Sequence, residues 1–212
     1  MDQRLTALEL MQDAPVIPVI VLNDLAHAVP MAQALVAGGI RVLEVTLRTP
    51  QGLASIEAIA RAVPEAIVGA GTVRSAADAR ACAHAGARFA VSPGYTSALG
   101  QACQDLQLSL LPGVATSGEI MAAQDDGFNE LKFFPAVQAG GTAMLKAWQG
   151  PFGDVRFCPT GGVSPANAQE FLALKNVVCV GGSWLVPTDA LEQGDWSRIT
   201  ALAREAKALR KA

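Results

Sequence analysis

From Val16 onward the chain alternates between two patterns. Short apolar runs rich in β-branched residues recur at intervals of roughly 20 to 25 residues, and each is followed by an Ala- and Leu-rich stretch with helical spacing. The runs are PVIPVIVL, RVLEVTL, AIVGAGT, RFAVSP, LSLLPG, ELKFFP, VRFCPTG and VVCVGGS. Nearly every position in them is apolar, as expected of parallel strands buried on both faces. The helical stretches include LAHAVPMAQALVAGG, SIEAIARAV, SAADARACAHAG, TSALGQACQDL, SGEIMAAQDDG, GTAMLKAWQG and SPANAQEFLAL. Gly38-Gly39, Gly86 and Gly127 stand where helices should stop, and Ser164-Pro165 reads as an N-cap with proline at the first helical position. The last helix sets Trp196, Ile199, Leu202, Ala206 and Leu209 on one stripe for packing on a sheet.

About eight strand and helix pairs in a chain of this length predict an α/β fold, a single (β/α)8 TIM barrel. A short amphipathic helix within MDQRLTALELMQDAP precedes it. An open doubly wound sheet is the competing architecture, but no GxGxxG opens its first crossover. Pro18 fits poorly inside the first strand, because a barrel has no free edge at which a missing amide does no harm.

With 212 residues, 51% of them apolar and 17% charged, the chain can close one core, and residues 1–212 are expected to form one domain. Nineteen acidic residues against sixteen basic give a net charge of −3, without a Lys/Arg cluster that would follow a phosphodiester backbone or an anionic lipid surface. Nucleic acid and membrane are therefore excluded as expected partners, and a small molecule is favoured. No stretch approaches the roughly 20 apolar residues of a membrane span, and the N-terminus lacks the uninterrupted apolar segment of a secretory leader. Cys82, Cys103, Cys158 and Cys179 are widely spaced with no CxxC pair, which points to a reducing, cytoplasmic setting.

The chemistry enters through LKFFPA, residues 131 to 136, which puts a lysine into an apolar run. Burying an ammonium ion is costly unless it pairs or gives up its proton, so Lys132 either reaches the rim or is wanted there uncharged. Side chains alternate along a strand. If Leu43, Val45 and Leu47 meet the helix layer, then Val42, Glu44 and Thr46 point inward and Arg48 follows at the mouth. If Leu131 and Phe133 meet the helices, Lys132 and Phe134 point inward too. A carboxylate and an amine then converge near the C-terminal ends of the strands, where barrels keep their chemistry. Two readings stand: a catalytic pair, or a buried ion pair that only fixes register.

A second constellation lies in PTGGVSPAN and VGGSWL, the turns after the last two strands. Paired glycines let the backbone approach an anion, and amides near a helix start, with the Ser183 hydroxyl, can donate to phosphate oxygens. Ordinary glycine turns are the other reading. Thr72, Pro93 and Thr160 end strands and could line the mouth. His27 and His84 lie in helical stretches, so a metal centre or a Ser/His triad finds no ligands or base among the histidines.

Taken together, GGIRVLEVTLRT, EAIVGAGTV, FAVSPG, LKFFPA, FCPTGGVSPAN and GGSWLVP resemble the 2-keto-3-deoxy-6-phosphogluconate (KDPG) / 4-hydroxy-2-oxoglutarate aldolase family of class I aldolases, from about Pro15 to the last helix. The resemblance implies a (β/α)8 barrel assembled as a homotrimer, with no metal or organic cofactor. It implies Schiff-base cleavage of KDPG to pyruvate and glyceraldehyde 3-phosphate, and of 4-hydroxy-2-oxoglutarate to pyruvate and glyoxylate. In these terms Lys132 is the Schiff-base lysine and Glu44 the general acid/base. Arg48 and Thr72 hold the keto-acid carboxylate, Pro93 and Phe134 pack on the pyruvate portion, and Thr160 senses the configuration at C4. Gly161, Gly162, Gly182 and Ser183 bind the terminal phosphate. One departure is Val137, where many relatives have a glutamate; it follows the catalytic strand and bears on loop or subunit contacts. Three other readings remain at this stage: an aldolase for the galactonate epimer, a non-covalent phosphosugar epimerase, and a sugar-phosphate-binding barrel without catalysis.

Overall fold

In the computed structural model, which describes residues 5–209, the strands are β1 (Val16–Ile20), β2 (Val42–Thr46), β3 (Ile67–Gly71), β4 (Phe89–Val91), β5 (Ser109–Leu111), β6 (Gly113–Val114), β7 (Glu130–Phe133), β8 (Arg156–Pro159) and β9 (Val180–Gly182). The helices are α1 (Ala7–Gln12), α2 (Ala28–Ala37), α3 (Gly52–Ala62), α4 (Ala76–His84), α5 (Ser97–Asp105), α6 (Ser117–Asp125), α7 (Gly141–Trp148), α8 (Ala168–Leu172), α9 (Thr188–Gln193) and α10 (Trp196–Ala208). Among the described residues all strand pairings are parallel. They form a six-stranded sheet in the order β5-β4-β3-β2-β1-β9 and a three-stranded sheet in the order β6-β7-β8.

The eight apolar runs thus yield nine strands. The fifth run divides at Pro112, which has no amide to donate to a ladder, so β5 pairs with β4 while β6 pairs with β7. The Pro112 carbonyl still accepts from Lys132 N at 2.8 Å. On the other side, isolated bridges join Phe157 to Val177 and Thr160 to Gly181. Pro18 is tolerated inside β1 because the strand bridges β9 through Val16, Ile17 and Pro18, and β2 through Val19 and Ile20. The missing amide falls where the partner changes.

Alternation along the strands divides the interior into two cores. Leu43, Val45, Val68, Ala70, Leu131, Phe133 and Phe157 pack with buried helix residues in the larger one. Ile17, Val42, Ile67, Phe89, Val91, Leu111, Cys158 and Cys179 form the smaller one on the opposite strand faces, together with Leu10 and Met11 of α1. A capping box between Thr6 and Glu9 satisfies the first amides of α1 and lets so short a helix hold.

Two local expectations are corrected, the stripe of α10 and the N-cap of α8. The buried positions of α10 are Ile199, Ala203 and Ala206, and Leu202 is only half-buried. The reason is close approach: a Cβ on Gly38 would stand 2.4 Å from Ala203 Cβ, so α2 and α10 meet where both side chains are small. Gly38 keeps a right-handed backbone, and the left-handed stop at that point is Gly39, at φ +88°. Ser164-Pro165 lies a turn ahead of α8, whose N-cap position is Asn167. Helix α9 has no counterpart among the helical stretches singled out from the sequence. Among the described residues no helix is long and apolar enough to cross a membrane.

Candidate active site

Glu44 sits mid-way along β2 and Lys132 on β7, each flanked in sequence by residues that face the helices. Alternation sends both inward, where each is 3% exposed. Lys132 Nζ lies 3.2 Å from Glu44 Oε1 and 5.2 Å from the centroid of the Phe134 ring. A contact of this length suits an ion pair, and the aromatic face adds attraction for a cation.

Arg48 follows β2, and its Nε donates to Thr72 Oγ1 at 3.3 Å. Thr72, immediately after β3, has φ +61°. A β-branched residue there is a true outlier, at a cost of roughly 1–2 kcal/mol. Such strain gathers at functional sites. The turn aims a hydroxyl at a guanidinium.

Thr160, immediately after β8, is 5% exposed and donates to the carbonyl of Cys158, two residues back, at 3.4 Å. Gly161 and Gly162 follow with φ +98° and +74°, conformations that only glycine adopts freely. Asn167 braces this turn: its Oδ1 accepts from Ser164 N at 2.9 Å and its Nδ2 donates to Gly162 O at 3.1 Å. Val137 N donates to Gly161 O at 3.1 Å, and a Cβ on Gly162 would stand 2.8 Å from Val137 Cβ. Val137 therefore borders the glycine pair directly, closer to the site than its place beyond β7 suggested.

Arg48, Phe134, Thr160, Gly161, Gly162, Gly182 and Ser183 line one cavity of about 200 Å³ with Val19, Val163 and Gly181. Phe134 joins that cavity to the Lys132 ammonium, and Arg48 joins it to Thr72. Pro93 lines a different pocket, with Arg74, Gly94, Tyr95, Thr96 and Leu99, while its backbone lies against Gly113, the register partner of Lys132. Sequence reasoning missed Val19, Gly181 and Asn167. Val19 shares the inward parity of Ile17 in β1, Gly181 is the first glycine of VGGS, and Asn167 closes the PTGGVSPAN motif, so each had a signal in the sequence.

A basic amine and a carboxylate in contact, a guanidinium beside a hydroxyl, and a glycine-lined turn can together hold an anionic carbonyl compound at both ends. The model of the KDPG and KHG aldolase family matches residues 8–202. The KHG/KDPG aldolase of Escherichia coli K12 is 57% identical over 201 residues, 95% of this chain and 94% of that protein. The crystal structure of a KDPG aldolase from Legionella pneumophila, with pyruvate captured at low pH as a covalent carbinolamine intermediate, superposes with a TM-score of 0.95 at 47% identity over 97% of this chain and 100% of that one. A Zymomonas mobilis KDPG aldolase solved with 3-phosphoglycerate gives 0.92 at 47% identity, covering 97% of each chain. With its lysine and carboxylate paired beside a glycine-lined cavity and this similarity running along nearly its whole length, the chain belongs to the KDPG and KHG aldolase family.

Proposed function

We propose that this chain is a class I aldolase that cleaves KDPG to pyruvate and glyceraldehyde 3-phosphate, and 4-hydroxy-2-oxoglutarate to pyruvate and glyoxylate. The observation that carries the reading is the buried contact between Lys132 and Glu44, 3.2 Å apart beside the cavity. Only an amine without its extra proton attacks a ketone, and Glu44 is within reach to take that proton. Lys132 Nζ adds to C2, and Glu44 returns the proton as the C2 oxygen leaves as water. The resulting iminium is the electron sink, so the step calls on no metal or organic cofactor.

Glu44, now a carboxylate, takes the proton of the C4 hydroxyl. The C3–C4 bond breaks, its electron pair forms the enamine, and the aldehyde departs. Glu44 then protonates the enamine carbon, and water releases pyruvate from Lys132. Arg48 grips the keto-acid carboxylate with Thr72 beside it, holding C2 in line with the amine. Phe134 packs on the pyruvate portion and Thr160 meets the C4 hydroxyl. The amides of Gly161, Gly162 and Gly182, with the Ser183 hydroxyl, take the terminal phosphate.

In this reading the two sheets are one eight-stranded barrel. Its fifth strand is interrupted at Pro112, and its last side is joined through the bridges from Phe157 and Thr160. The chain works as one domain in the cytoplasm and, as the family resemblance implies, assembles as a homotrimer. Sodium borohydride added with pyruvate should fix an adduct on Lys132, read as a mass increase of its peptide. Active protein with an unmodified Lys132 rules out the Schiff base.

A further inference from the structure

Gly71 is the last residue of β3 and has no conformational need to be glycine, since its φ is not among the positive values of the chain. Its side of the strand explains it better. Ile67, Gly69 and Gly71 share the inward parity, and Gly71 is the register partner of Thr46, two residues beyond Glu44. A Cβ at position 71 would stand 2.4 Å from Glu44 Oε1, 2.7 Å from its Cγ and 2.9 Å from its Cδ. Oε1 is the same oxygen that meets Lys132 Nζ. The Glu44 side chain is 4% exposed, so it has little room to retreat.

From this we infer that Gly71 is a positioning residue for the reaction: the missing side chain is the seat of the Glu44 carboxylate, and it sets that carboxylate against Lys132 and the bound keto acid. The inference rests on the reading of Glu44 as the proton carrier. The next residue, Thr72, turns its hydroxyl toward Arg48, so the Gly71-Thr72 pair arranges both the proton carrier and the carboxylate clamp. The same device recurs across the strands, where a Cβ on Gly181 would stand 2.1 Å from Thr160 Oγ1. Gly69 is a contrast, because its absent side chain accommodates the apolar Phe89 ring, 2.4 Å from an added Cβ, rather than an acid.

The test separates seating a carboxylate from simple packing. In Gly71→Ala, borohydride should still trap pyruvate on the lysine at long incubation, because the amine and the carboxylate clamp remain, though more slowly since Glu44 also serves iminium formation. Exchange of the pyruvate methyl protons for deuterium should fall about 10²-fold, as misplacing a reacting group by 1 Å does. Glu44→Gln should lose exchange to a similar degree, and Gly71→Ala added to Glu44→Gln should lose no more. Wild-type exchange in Gly71→Ala, or losses that multiply in the double variant, overturns the proposal. Full exchange in Glu44→Gln alone overturns instead the assignment of Glu44 on which it rests. If Gly71→Ala does not fold, melting decides. Gly71→Ala/Glu44→Ala should melt no lower than Glu44→Ala, since the methyl fills vacated space, and a lower melting temperature refutes the seat.

Discussion

Lys132 Nζ and Glu44 Oε1 stand 3.2 Å apart in the interior although 88 positions separate the two residues in the chain. Two charges out of water are held there by each other, so removing one should cost more than removing both. Lys132→Met is expected to lose about 3–5 kcal/mol of stability, because it leaves a carboxylate buried and alone. Lys132→Met/Glu44→Gln should recover most of that loss. Urea denaturation of both variants measures it, and equal losses would mean that the two groups are not coupled.

Arg48 donates to Thr72 and, in the proposed function, also grips the substrate carboxylate. Arg48→Lys keeps the charge but not the planar fork, so the Michaelis constant for KDPG should rise about 10- to 100-fold, the worth of one charge-assisted hydrogen bond, with a smaller change in kcat. Steady-state kinetics with a lactate dehydrogenase coupling read both. An unchanged constant would remove Arg48 from substrate binding.

Ser183 lines the cavity beside Gly182. Ser183→Ala should weaken kcat/KM for KDPG by about 10-fold, as expected for one lost hydrogen bond. The effect on 4-hydroxy-2-oxoglutarate, which lacks a phosphate, should be small. Equal losses for the two substrates would remove the phosphate assignment.

Tyr95 Oη, in the loop before α5, donates to Asp126 Oδ2 at the C-terminal end of α6, at 2.6 Å. That hydrogen bond holds the Asp126 carboxyl below its usual range, and burial, followed by the same bond, pushes the Tyr95 phenol well above its own. For Asp126, a depressed value in the folded state stabilises above the ordinary carboxylate range and is lost as pH falls through the depressed value. For Tyr95, a raised value stabilises below the ordinary phenol range and is lost as pH climbs toward the raised one. Tyr95→Phe should therefore be less stable than the parent chain at neutral pH, with the difference shrinking in strong acid. Denaturant midpoints at both pH values check this, and a difference independent of pH would assign the effect to packing alone.

Much of the site was legible because strand alternation is a local rule. Once Leu43, Val45, Leu131 and Phe133 were given to the helix layer, the inward direction of Glu44 and Lys132 followed, and both lie inward. Paired glycines at 161 and 162 were legible for a similar reason, since a turn of that shape admits little else. Leu202 misled because hydrophobicity ranks residues by size, whereas the contact between α2 and α10 selects small ones.

By itself the sequence determined the alternation of strands and helices, the inward parity of the acid and the amine, and the glycine turns, all consequences of periodicity and backbone sterics within a few residues. Tertiary structure alone decided that the ladder breaks at Pro112, that Gly71 leaves room for Glu44 and Gly181 for Thr160, and that the lysine and carboxylate meet at hydrogen-bonding distance. Those are distances between strands remote in the chain. They are set by register and close packing, which no local pattern encodes.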